Sequence, residues 1–133
     1  MRIWIRRIGL GLILWVVPYT AAIPMLGYAH SHPLGFKAAE VSIAMLTLAG
    51  LVVWYFRSVE RDFLRDAVVT AVTWAVLNWA LDLVALLPFT HQSLPQYFLE
   101  IGIEYLAACA YVIAVGAILA QKATIKGSAP PHR

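Results

Sequence analysis

"YFLEIGIEYLAACAY", residues 97–111, decides the fold. Nearly every letter suits a bilayer or a protein core, yet Glu100 and Glu104 stand one helical turn apart within it. Working outward, the whole chain keeps this character. Of its 133 residues 62% are hydrophobic and 13% charged, against about 45–50% and about 25% in ordinary soluble domains. Four stretches approach the length of about 20 apolar residues that a helix needs to cross the hydrocarbon: 8–29, 37–56, 67–88 and 96–121. Lipid offers the backbone no hydrogen-bond partners, so each is expected to be a helix. The predicted fold is all-α, an integral membrane bundle of four transmembrane helices over 1–122, followed by a flexible polar tail over 123–133.

Basic residues set the expected orientation. Arg2, Arg6 and Arg7 precede the first span, Arg57, Arg61 and Arg65 separate the second from the third, and Lys122, Lys126 and Arg133 follow the fourth. By the positive-inside rule both termini and the central loop are cytoplasmic, and "HSHPLGF" and "THQSLP" face outward. A multi-pass membrane protein with this orientation is expected. The basic balance is explained by orientation and by anionic lipid, and implies no nucleic-acid partner. The N-terminal run could be read as a cleaved secretory signal, but it exceeds the usual apolar length of about 7–15 residues, and Pro18 and Pro24 suit kinks in a retained helix. The single Cys109 leaves no intrachain disulfide.

Short outer connections make consecutive helices antiparallel neighbours. In the charged central loop "RSVERDFLRD", Ser58 is expected to cap a helix starting near Val59, with Glu60, Asp62 and Asp66 solvated. Aromatic residues mark the borders: Trp4 and residues 54–56 at the inner one, Tyr28, Phe89, Tyr97 and Phe98 at the outer. Trp15, Trp74, Trp79 and Tyr111 lie away from the borders, where their N–H or O–H groups need partners. Glycines at 9, 11, 102 and 116 allow close helix contacts.

Of the seven acidic residues, four (Glu40, Asp82, Glu100 and Glu104) fall in the outer halves of predicted spans. An acid at a helix centre costs about 2.5–3.5 kcal/mol on insertion scales, so such residues normally face a bundle interior or water. From the helical rise, Asp82 lies roughly 9 Å and Glu104 about 12 Å below the outer end, so the two can meet. Trp74, Asn78 and Asp82 repeat at a spacing of four and share one stripe. Glu100 and Glu104, if interior, are expected to share protons or a cation instead of both standing bare. Glu40 can pair with Lys37. His30, His32 and His91 are expected outside, forming with Glu40 a vestibule whose ligand types suit a divalent metal ion. The plainer alternatives are exposed loop histidines and a core network in which Asp82 accepts hydrogen bonds from Asn78, a tryptophan or Tyr111.

"LDLVALLPF" followed by "QYFLEIGIEYL" resembles an uncharacterised family of small bacterial four-helix inner-membrane proteins, which brings no activity with it. In length and helix count the chain is also similar to small multidrug transporters, which work as dimers around a membrane glutamate; its first span has no acidic residue at all. The leading expectation is a small homo-oligomer that binds or conducts a cation, a proton or a divalent metal, through Asp82, Asn78, Glu100 and Glu104. The second is a non-catalytic accessory or assembly protein whose buried acids pair with a membrane partner, or which docks a protein through loop 57–66. No H-E-x-x-H, G-x-S-x-G or other complete catalytic arrangement is present, so no enzyme is expected.

Overall fold

The computed structural model describes residues 2–90 and 93–127. These residues are helical apart from short breaks, and four long apolar segments, Ile3–Ser31, Pro33–Phe56, Phe63–Ala85 and Leu94–Ile125, are each long enough to cross a membrane. The helices are α1 (Arg2–Ala22), α2 (Leu26–Ser31), α3 (Pro33–Phe56), α4 (Phe63–Leu81), α5 (Leu87–Thr90), α6 (Leu94–Tyr97) and α7 (Ile103–Gly127). The protein is a multi-pass membrane bundle.

The first span runs further than its apolar core suggests. Its α-helix is interrupted where Pro24 sits in a 3-10 turn, Ile23–Met25, joining α1 to α2, since proline cannot donate into the helical ladder. The connection to the second span is shorter than the expected loop. Only His32, at φ −139° and ψ 67°, interrupts the helices, and Pro33 opens α3. A residue before proline is disfavoured in the α conformation, while proline at the first helical position is pre-set for it. At the other end α4 begins at Phe63 and not near Val59: Ser58 donates to Tyr55 O at 3.0 Å and accepts from Arg6, so it caps nothing. The residue before the helix is Asp62, at φ 53°. α7 extends to Gly127, past the expected boundary at 122, and residues 128–133 of the tail lie outside those described.

The third span is central and the most buried of the four. It packs against α1 on one side and α7 on the other, while α3 leans mainly on α1. Leu10, Leu48, Val52, Tyr55, Ala71 and Val112 are core residues of the bundle. With lipid as solvent, burying apolar side chains gives little net drive, and close packing of small residues matters more. Gly116 shows this: a Cβ there would stand 2.9 Å from Phe63 O and collide with Ala67. The open faces carry Val53, Val72, Val76, Leu99, Ile103 and similar side chains, as lipid contact requires.

Two π turns interrupt the third and fourth spans, Asp82–Leu86 after α4 and Phe98–Gly102 before α7. Each absorbs one residue more than an α turn and so rotates the next stretch of helix about its axis. The second lies between Tyr97 and Tyr105 and brings both to the carboxylate of Asp82.

Candidate functional site

A polar seam runs along the contact between α1 and α4. Trp74 Nε1 donates to Arg7 O at 2.8 Å, Asn78 Nδ2 to Gly11 O at 3.3 Å, and Trp15 Nε1 to Asp82 Oδ1 at 2.7 Å. Residues 74, 78 and 82 thus pair with 7, 11 and 15. Both sets step by four, so two parallel helices present matching stripes. A Cβ on Gly11 would lie 2.9 Å from both Trp74 and Leu77, and its absence lets the stripes meet.

Asp82, 3% exposed, is the centre of the seam's far end. Besides Trp15, it accepts from Tyr97 Oη and Tyr105 Oη, both at 2.7 Å on Oδ2. Eight residues along an ideal helix turn about 80° away from the starting face, but the π turn makes that spacing behave as seven, about 20° off. Both tyrosines therefore reach one oxygen. Trp79 Nε1, on the third span, donates to Gly102 O in the π turn of the fourth at 3.3 Å. No ion pair reaches Asp82 among the described residues.

Asn78, 1% exposed, is not a donor to Asp82. Its amide hydrogens go to Gly11 O and Trp74 O, the latter at 2.8 Å, and its buried Oδ1 has no hydrogen-bond partner among the described residues. The three interior tryptophans have partners, as expected. Tyr111 does not join them and lies exposed. Tyr97, a border residue by its place in the sequence, is fully buried.

The acidic cluster expected around Asp82 is divided. Glu104 turns to Lys37 Nζ, 2.8 Å away, and Lys37 also meets Glu40 at 3.5 Å. This ion-pair group is half-exposed on the side of the bundle. Glu100 is exposed within the π turn and accepts from Gln96 Nε2 at 3.0 Å. The expectation that Glu100 and Glu104 share an interior pocket is therefore corrected: one pairs across helices and the other faces outward.

The histidine vestibule is also corrected as far as the described residues reach. His30 Nδ1 lies 3.1 Å from Leu26 O of its own helix, and His32 lies 3.0 Å from Ser31 Oγ and stacks on Tyr28. Glu40 is engaged by Lys37. His91 lies outside the described residues. Among the described residues no three His, Cys, Asp or Glu side chains converge on a point where a metal ion could sit.

A second network, unanticipated from the sequence, fills the seam's other end. Arg7, 5% exposed, donates from Nη2 to Asp66 Oδ1 at 2.8 Å and from Nε towards Tyr55 Oη and Thr70 Oγ1. Tyr55 in turn donates to Asp66 Oδ2 at 3.2 Å. The expectation of a solvated Asp66 is corrected, because its carboxylate begins the seam. The hint is in the spacing: Arg7, Gly11 and Trp15 repeat by four just as Trp74, Asn78 and Asp82 do.

Compared with protein-family models, curated proteins and solved structures, the chain matches none.

Proposed function

We propose that this is a small multi-pass protein of a bacterial inner membrane, not an enzyme, that binds a proton at Asp82, with both termini and the 57–66 connection on the cytoplasmic side. The basic residues gathered at the Arg7 end support the orientation. One observation carries the functional reading: a buried carboxylate near the end of the third span is held by three neutral donors and, among the described residues, by no cation, so its charge can change without stranding another. A divalent metal needs several oxygen or imidazole ligands, and here both oxygens are already engaged by protein donors. A proton needs no such coordination shell, only one acceptor for the O–H it creates.

Binding a proton would change the role of Asp82. An ionised carboxylate only accepts, whereas the acid also donates. The acid's O–H would need an acceptor, which Tyr97 or Tyr105 supplies by turning its own O–H elsewhere, and the three donors come from the first and fourth spans. Protonation is thereby coupled to how those spans pack on the third. Both π turns, which are frequent at functional sites, lie at this junction. The void that Tyr105 helps to line measures about 10 Å³, near the threshold for a single water. Four helices make a narrow bundle, so a conduction route is proposed between subunits of a homo-oligomer.

The test is infrared titration of the carboxyl stretch in liposomes, with proton uptake measured on the same preparations. A band that titrates in the wild type, disappears in Asp82→Asn and persists in Glu104→Gln is expected, together with loss of uptake in Asp82→Asn. A spectrum with no titrating band assignable to Asp82 overturns the reading.

The Lys37, Glu40 and Glu104 group favours a second reading, an accessory protein. Half-exposed charges within spans are unfavourable against lipid, and a second copy or a partner helix covering them would remove that cost. Co-purification of a stoichiometric membrane partner, lost in Lys37→Met, would favour it.

A further inference from the structure

At the end of the bundle away from Asp82, a cavity of about 490 Å³ opens between the start of the first span and the 57–66 connection, within the range of about 300–1,000 Å³ typical of small-ligand sites. Its walls divide by chemistry. Ile3, Trp4 and Val69 form an apolar side continuous with the spans, and the connection contributes Glu60, Arg61, Asp62 and Arg65. The other two charged groups in the wall, Arg7 and Asp66, neutralise one another at 2.8 Å. That leaves two guanidinium groups and two carboxylates, none of them in an ion pair among the described residues. Asp62 precedes α4, yet its carboxylate makes no hydrogen bond to the helix terminus.

From this composition we infer that the cavity binds a zwitterionic phospholipid with a primary ammonium, of the phosphatidylethanolamine class. Arg61 and Arg65 take the phosphate through charge-assisted hydrogen bonds, Glu60 and Asp62 take the ammonium, and the glycerol and upper acyl chain lie along Ile3, Trp4 and Val69. The balance of charge decides against other head groups. A purely anionic lipid would satisfy the arginines while facing two carboxylates. A trimethylated ammonium has no N–H to donate to them. The inference needs only that this end of the bundle lies at a membrane surface, whichever side that is, and it is independent of Asp82.

The experiment is native mass spectrometry of the full chain in detergent with equimolar phosphatidylethanolamine, phosphatidylcholine and phosphatidylglycerol of identical acyl chains. Phosphatidylethanolamine adducts should exceed those of the other two by about tenfold, the worth of one good charged hydrogen bond. Glu60→Gln with Asp62→Asn should bring phosphatidylethanolamine down to the level of phosphatidylcholine, and Arg61→Gln with Arg65→Gln should lower binding of all three. Far-UV circular dichroism of both double variants is expected to match the wild type, since the four side chains are exposed. Three results would overturn the inference: phosphatidylglycerol binding as well as phosphatidylethanolamine, adducts unchanged in both double variants with helicity intact, or free phosphoethanolamine binding as tightly as the lipid.

Discussion

The two ends of the seam hold a buried charged group by opposite means. At one end the Arg7 guanidinium meets the Asp66 carboxylate at 2.8 Å, with Tyr55 and Thr70 completing the set. At the other, the partners of Asp82 among the described residues are Trp15, Tyr97 and Tyr105, three neutral donors. A pair of opposite charges in a low dielectric is locked, because neither member can be neutralised without stranding its partner. A lone carboxylate among dipoles has no such constraint. The contrast teaches that burial alone does not mark a working group; the working candidate is the one whose charge can change without leaving another uncompensated.

The largest effect tests the locked end. Asp66→Ala leaves a guanidinium that is 5% exposed without an anion, which should cost about 3–5 kcal/mol. Unfolding in mixed micelles measures it. The companion double variant, Arg7→Met with Asp66→Ala, removes both charges and should recover most of that loss. A single variant as stable as the wild type would show that Arg7 reaches water or lipid phosphate, and the contrast between the ends would fail.

Next comes the other end. Asp82→Leu removes the common acceptor of the buried Tyr97 and the half-buried Trp15 and Tyr105; a fully buried donor left unmet costs about 1–3 kcal/mol. The tyrosine hydroxyls can rotate towards other acceptors, so a net loss of about 2–4 kcal/mol is expected. Asp82→Asn keeps an acceptor and should lose no more than about 2 kcal/mol. If it unfolds the protein, Asp82 must be ionised for the bundle to hold, and the proton reading loses its reversible step.

These sites are legible in the sequence to very different degrees. Four helices follow from apolar length, and the stripe of Trp74, Asn78 and Asp82 from a spacing of four, since both depend only on regular helical geometry. The partners of Asp82 do not. Tyr97 and Tyr105 stand on different faces of a regular helix, and only the π turn between them, which no composition announces, brings them together. For Glu104 the same regularity misleads, because stacking it under Glu100 requires an uninterrupted turn there, and because Lys37 has a nearer partner in sequence, Glu40. Arg7 and Asp66 are hidden for another reason: both fit the positive-inside pattern and the solvated loop, readings that use charge and ignore which face a side chain occupies.

A smaller effect sharpens the role of the π turn. Tyr97→Phe and Tyr105→Phe each remove one hydrogen bond to a charged oxygen, worth about 1.5–3 kcal/mol. Because both hydroxyls bond Oδ2, the double variant should not equal the sum, and a coupling of about 0.5 kcal/mol or more is expected in the mutant cycle. Strict additivity would mean that the two tyrosines do not share Asp82, and hence that the register shift through Phe98–Gly102 is absent in the bilayer.

The smallest effect is expected at the residue that the sequence pattern makes most conspicuous. Glu104→Gln removes one partner of Lys37 but leaves Glu40 at 3.5 Å, and the Lys37 and Glu104 side chains are 39% and 38% exposed. Screened pairs of this kind contribute about 0–1 kcal/mol, so the unfolding midpoint should scarcely move and the Asp82 carboxyl band should stay where it is. A larger loss would carry specific information. It would mean that water does not reach this face and that Lys37 lies against lipid or another chain, where an unpaired ammonium is expensive. Repeating the measurement across a range of protein-to-lipid ratios separates those two surroundings: a loss set by lipid alone is independent of protein concentration, whereas one set by a second copy grows as the protein is concentrated.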